Sequence, residues 1–238
     1  TPDQEGKGNE TRPNLDQCAN GVIGDLTVEI QEPDDGEEFG PMDTIDVEVK
    51  VENNFDDDIE VKVQAVLYDL TEEERIERIK IDEFDVGEDD NEEMDFSIEI
   101  PNGELDESHD YILFVKAFEQ SNEEEQCAED EIDISIERET HDVIIDSFTI
   151  IPESLSCDID LSAKVKLENI GESGEDDVYF KISVPELKID EESSTFYLED
   201  HDEDKGEITK TVNIRLPKDV KEGKYAIIAR AFFGGEEI

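Results

Sequence analysis

The chain has 238 residues, 72 of them acidic against 20 basic, for a formal net charge of -52, yet 35% of its residues are hydrophobic. That charge excludes nucleic acid, whose phosphates need Lys and Arg, and anionic membrane surfaces as partners. No apolar run approaches the roughly eighteen residues a spanning helix needs, and the chain begins at Thr1 without a signal peptide, so it reads as a mature or excised fragment.

Residues 1–20 carry Pro2, Gly6, Gly8, Pro13 and Cys18 but no periodicity, and read as an N-terminal tail or linker. Asn9-Glu10-Thr11 matches the N-glycosylation acceptor pattern, a weak candidate on its own. From Val22 onward, period-two segments give seven predicted strands, at about 22–30, 44–53, 58–69, 75–86, 93–100, 110–119 and 131–138. Turn clusters such as Pro33-Asp34-Asp35-Gly36 and Gly87-Glu88-Asp89-Asp90 separate them. The fourth is the most ambiguous, since Glu72-Glu73-Glu74-Arg75 would also suit a short helix. Seven short strands with no crossover helix point to an immunoglobulin-like sandwich over residues 21–139, without Trp or a cysteine pair on its central strands.

A second unit over 140–238 repeats the pattern, with predicted strands at about 142–151, 158–168, 176–184, 194–199, 207–216 and 223–233. The repeat is in register: Asn53 and Asn169 are 116 apart (169 - 53), as are Pro101 and Pro217 (217 - 101). Tyr111 and Tyr225 each open a matching segment and are 114 apart (225 - 111). Tyr at the start of a sixth strand is either a plain core aromatic or a tyrosine corner, whose hydroxyl ties a loop to the sandwich. The fold class is therefore all-β, two tandem immunoglobulin-like β-sandwiches. The second lacks its last strand, so a continuation of the chain or a strand from another molecule is expected to complete it.

On each strand the acids alternate with the apolar residues, as Asp46, Glu48 and Lys50 do with the valines of 44–51. Such a coat repels itself. It suits a saline, halophilic setting, where molar salt shortens the Debye length to about 3 Å.

Cys18 precedes the first strand and Cys127 lies between the sixth and seventh, positions that fall at one end of a sandwich, so a Cys18–Cys127 disulfide is predicted. It would close 109 residue steps (127 - 18) and stabilise by about 4–5 kcal/mol on chain-entropy grounds. Cys157 is either a free buried thiol or one whose partner lies outside this chain. An even cysteine framework implies an oxidising, extracellular location.

No Gly-x-Ser-x-Gly elbow, Walker loop or His-Glu-x-x-His pair occurs, and no enzyme is expected. For metals, Asp200, Asp202 and Asp204 alternate like the start of an EF-hand loop, but Gly206 is one position late and the twelfth position is Thr211. Asp56, Asp57 and Asp58 are equally unspecific. No cofactor is expected beyond weakly held calcium or monovalent counter-ions.

Ser154-Leu155-Ser156-Cys157, Val165 to Gly171 (VKLENIG) and Asp176-Asp177-Val178 resemble the repeated immunoglobulin-like, CARDB-type domains of S-layer proteins from small DPANN archaea. Tyr68-Asp69-Leu70, His109 to Ile112 (HDYI) and Glu125 to Asp130 (EQCAED) are similar to the same proteins. The resemblance implies an exported, often glycosylated protein of the cell surface or envelope. It would self-associate or join other envelope proteins in or beneath a lattice. The alternative is an adhesion or recognition module that binds a glycan or host-surface protein through loops or an exposed sheet edge.

Overall fold

The computed structural model describes residues 12–101, 105–154, 160–201, 203 and 205–237. The chain divides into two compact units, Thr1–Glu137 and Arg138–Ile238. The division falls slightly before the expected 139/140 boundary because Arg138 belongs to the second unit, where its Nη1 donates to the Ile170 carbonyl at 2.8 Å.

Unit 1 is a two-sheet sandwich. Its strands are β1 (Leu26–Glu32), β2 (Glu37–Phe39), β3 (Thr44–Asn53), β4 (Ile59–Asp69), β5 (Glu74–Val86), β6 (Asp90–Glu99), β7 (Tyr111–Glu119) and β8 (Cys127–Ile136). One sheet has the order β1-β3-β6, the other β2-β8-β7-β4-β5. All neighbours pair antiparallel except β2, which runs parallel to β8. This is an immunoglobulin-like arrangement in which the first segment contributes β1 to one sheet and β2 to the other, switching at Pro33 to Gly36. Alternation builds the core: Ile45, Val47, Val49 and Val51 of β3 face Val61, Val63, Ala65 and Leu67 of β4 and Leu113, Val115 and Ala117 of β7, all at most 2% exposed.

Several expectations are corrected. The predicted strand 22–30 runs over Leu26–Glu32, with Val22 63% exposed and Ile23 making one isolated bridge to Cys127. Cys127 is not in a loop: it is the first residue of β8, which begins four residues before the predicted 131. β2 was not predicted, because three residues are too few to show a period. The fourth predicted strand, 75–86, is by contrast a strand as expected, Glu74–Val86, since its register against β4 seats Ile76, Ile79, Ile81 and Phe84 against the core.

The largest departure is at the N-terminus. Residues 12–18, expected as tail, form a strap over the outer face of the five-stranded sheet. Leu15 is 0% exposed and packs with Val66 and Tyr68 of β4 and Ile112 and Phe114 of β7. β7 is consequently buried on both faces.

Unit 2 has β9 (Val143–Ile151), β10 (Asp160–Asn169), β11 (Glu175–Val184), β12 (Ile189–Glu192), β13 (Phe196–Leu198), β14 (Glu207–Arg215), β15 (Ile228–Phe233) and β16 (Glu236–Glu237), with a 3-10 turn at Pro185–Leu187. The sheets are β14-β10-β9 and β12-β11-β15-β16, with β13 also on β11. Val165, Leu167, Phe180 and Ile182 form its core, each 0% exposed. The strand expected over 223–233 is confined to Ile228–Phe233. Where unit 1 has the ten-residue β8, unit 2 has only the two-residue β16, paired to Phe232 and Phe233.

Leu15→Ala should destabilise unit 1 by roughly 2–5 kcal/mol, the usual range for deleting a fully buried leucine side chain. Denaturant unfolding of the whole chain checks this, and an unchanged midpoint for unit 1 would mean that the strap does not cover the sheet.

Candidate functional site

The strap is tied to the sheet along its length. The Arg12 guanidinium pairs with Glu131 of β8, and the Tyr68 hydroxyl donates to the Pro13 carbonyl at 2.9 Å. Arg78 Nη1 meets Asp16 Oδ2 at 2.6 Å, and the Cys18 amide donates to a Glu129 carboxylate oxygen. Cys18 and Cys127 are joined as a disulfide with Cα atoms 5.9 Å apart, packed with Phe118. Beside it Lys116, 4% exposed, reaches Glu123 at 2.9 Å and lies 4.7 Å over the Phe118 ring, so the buried ammonium is paired.

Each unit holds a buried asparagine at the end of a core strand, Asn53 on β3 and Asn169 on β10. Asn53 Nδ2 donates to the carbonyls of Asp57, Val86 and Gly87 at 2.9, 3.2 and 3.0 Å, while its Oδ1 accepts from the Phe55 amide. Asn169 Nδ2 donates to Ser173 and Glu199 carbonyls at 2.8 and 3.0 Å, and its Oδ1 accepts from Gly171. Both are 1% exposed. A single side chain thus satisfies several carbonyls of two loops at once, where water cannot reach. Sequence reasoning marked these residues only as landmarks of the repeat, and their identical placement was the available signal.

At the start of β7, Tyr111 forms a tyrosine corner: its hydroxyl accepts from the Asp106 amide at 2.9 Å and donates to the Asp106 carbonyl at 3.1 Å. Tyr225 reaches back likewise, donating to the Lys221 carbonyl at 2.8 Å. Next to Tyr111, His109 Nδ1 lies 2.8 Å from Oδ2 of Asp69, a carboxylate at the end of β4 whose Oδ1 accepts from the Thr71 and Glu72 amides. The hydrogen bond to Asp69 raises the His109 pKa above its ordinary 6.5, against the opposing effect of burial. In unit 2, His141 Nδ1 meets the buried Glu175 at 2.7 Å, and an open groove runs along His141 to Ile145 and Phe233. On the outer face of unit 2, Tyr179 and Phe232 stack with centroids 4.9 Å apart under Lys181.

The acidic candidates do not converge. Asp57 offers its carbonyl to Asn53, and Asp58 Oδ1 accepts from the Glu88 amide at 3.0 Å. The Asp200 carbonyl accepts from Glu203, and Lys205 pairs with Glu199 at 2.8 Å, holding the Glu199 carboxyl below its usual range. Among the described residues no three His, Cys, Asp or Glu side chains gather as a metal site. Asp202, Asp204, Cys157 and Asn9 lie outside the described residues.

No protein-family model matches the chain, and no curated protein matches it. Among solved structures it is similar to red sea bream transglutaminase, at 13% identity and a TM-score of 0.32, covering 89% of this chain and 29% of that one. It is also similar to a CARDB domain from Pyrococcus furiosus in complex with di-metal ions, at 18% identity and a TM-score of 0.32, over 48% of this chain and 94% of that one. A Bacteroides uniformis beta-glucuronidase matches at 10% identity and a TM-score of 0.35, over 51% and 14%. The chain thus spans less than a third of the two enzymes. The fold stands on its own sheets and registers.

The His109–Asp69 pair should support unit 1 fully below pH 6.5, the ordinary histidine value, and that support should fade as pH rises through the raised value. A nuclear magnetic resonance titration should place His109 above 6.5, with Asp69→Asn bringing it down. A His109 titrating at or below 6.5 in the unsubstituted chain would contradict the pairing.

Proposed function

We propose that the chain is a structural component of a cell envelope or surface layer, built from tandem sandwiches and suited to saline surroundings, with a non-catalytic role. The observation that carries this reading is the stapled sandwich itself: a strap tied over one sheet by a disulfide, a bond that persists in oxidising, extracellular settings. The acid coat adds to it. Glu48 stands opposite Glu32 on one side and Asp95 on the other, Glu60 opposite Asp85, and Glu168 opposite Glu207. Like charges in such pairs destabilise a sheet in dilute buffer and are screened by salt. Counter-ions, calcium among them, would be held diffusely across this coat. The CARDB-type resemblance of the sequence to archaeal surface proteins points the same way.

A recognition module is the second reading. It is favoured by the half-exposed Tyr179–Phe232 stack on unit 2, a shape that suits a glycan ring or a partner protein's apolar contact.

Electron cryo-tomography of native envelopes, labelled with an antibody to this chain, separates the two. A periodic array carrying the label is expected. Label scattered as isolated molecules, together with saturable binding of the purified chain to a glycan or host-surface protein, would overturn the structural reading in favour of recognition.

A further inference from the structure

We propose that the Cys18–Cys127 disulfide makes unit 1 an inextensible link under tension, because it places both points of load at the two ends of one strand. The covalent path through the unit runs from Cys18 across the disulfide to Cys127, the first residue of β8, along β8 to Ile136, and out through Glu137. Residues 19–126, with β1 to β7, hang from this path as a closed loop. Pulling from either side stretches β8 along its own axis. A strand already rises about 3.4 Å per residue, close to the limit of roughly 3.6 Å for extended chain, so β8 has little slack.

The pairing around β8 suits this geometry. Its ladder bonds to β7, from Cys127 opposite Phe118 to Ile134 opposite Tyr111, lie across the strand and therefore across the load. β2 clamps the far end in parallel at Ile134 to Ile136, and the Glu137 amide donates to the Phe39 carbonyl at 3.0 Å. Because both ends of β8 are drawn apart, no net force slides it past either neighbour.

With the disulfide open, the path changes. Load entering at residue 18 passes through 19–25 into β1 and leaves by β8, and these strands lie in opposite sheets. What then resists is a short series of contacts strained one after another. They include the Cys18 amide on Glu129, the Ile23–Cys127 bridge, the Gln126 Oε1 that accepts from the Asp25 and Leu26 amides, and the Ile30 amide on Asp130. The same sandwich is thus weak when reduced and shielded when oxidised. The inference goes beyond the surface-layer reading and does not rest on it.

Force spectroscopy on the full chain, tethered by its two termini, tests it. The closed loop of 109 residue steps at about 3.4 Å per step hides roughly 370 Å of contour. The oxidised tether is expected to open unit 2 and release the strap only, ending roughly 370 Å short of the tether treated with reductant. At a force that opens reduced unit 1, the oxidised tether held for the same time should gain nothing further. Cys18→Ser with Cys127→Ser should reproduce the reduced trace. If that variant fails to fold, its longer total contour still reads the loss of the loop, and in-place reduction of the folded chain gives the force comparison. An oxidised tether that reaches the full contour, or a reduced unit 1 that withstands the same force as the oxidised one, would overturn the proposal.

Discussion

The outer face of β4 and β7 has to be covered, and the architecture of unit 1 follows from that constraint. Val66, Tyr68, Ile112 and Phe114 point away from the sandwich core, on a chain with 72 acidic residues among 238. Left open, they would form a contiguous apolar patch of the kind that soluble domains rarely expose. A seven-residue strap with a single leucine cannot hold itself there, since ordering each residue costs about 1–2 kcal/mol of backbone entropy. The disulfide removes much of that cost by fixing one end, while Arg12–Glu131, Asp16–Arg78 and the Tyr68–Pro13 hydrogen bond fix the rest.

Much of the fold was legible because a limited apolar supply was spent at period two. β3 and β10 show the alternation without interruption, and the 116-residue offset of Asn53 and Asn169 exposed the duplication. The disulfide followed from placing Cys18 and Cys127 at the same end of one sandwich. The strap was not legible from its own residues, which have no period. Its signal lay elsewhere, in Tyr111 to Phe118, whose unbroken run of mostly apolar residues fits a strand buried on both faces and therefore requires cover on the second. Residues 22–25 misled because two apolar residues, Val22 and Ile23, stand exposed beside the strand they were expected to start. β2 and β12 were invisible because three and four residues with a single apolar member each, Phe39 and Ile189, are too few to show a period.

The two units solve the same problem differently. Unit 1 covers its outer face with a strap, whereas the corresponding face of unit 2 carries the half-exposed Tyr179–Phe232 stack and the cations Lys181 and Arg230, paired with Glu192 and Glu237. In both, a buried asparagine fixes the loops beside its strand. The acid rows lie on exposed strand faces where salt can screen them, while the buried charges Asp69, Lys116 and Glu175 are paired with His109, Glu123 and His141.

Hydroxyl-radical footprinting of the oxidised chain measures the covered face directly. Tyr68, 0% exposed beneath the strap, and Phe114 beside it should label far more slowly than Tyr197, which is 53% exposed. Labelling of Tyr68 at a rate comparable to that of Tyr197 would contradict a strap seated on the sheet.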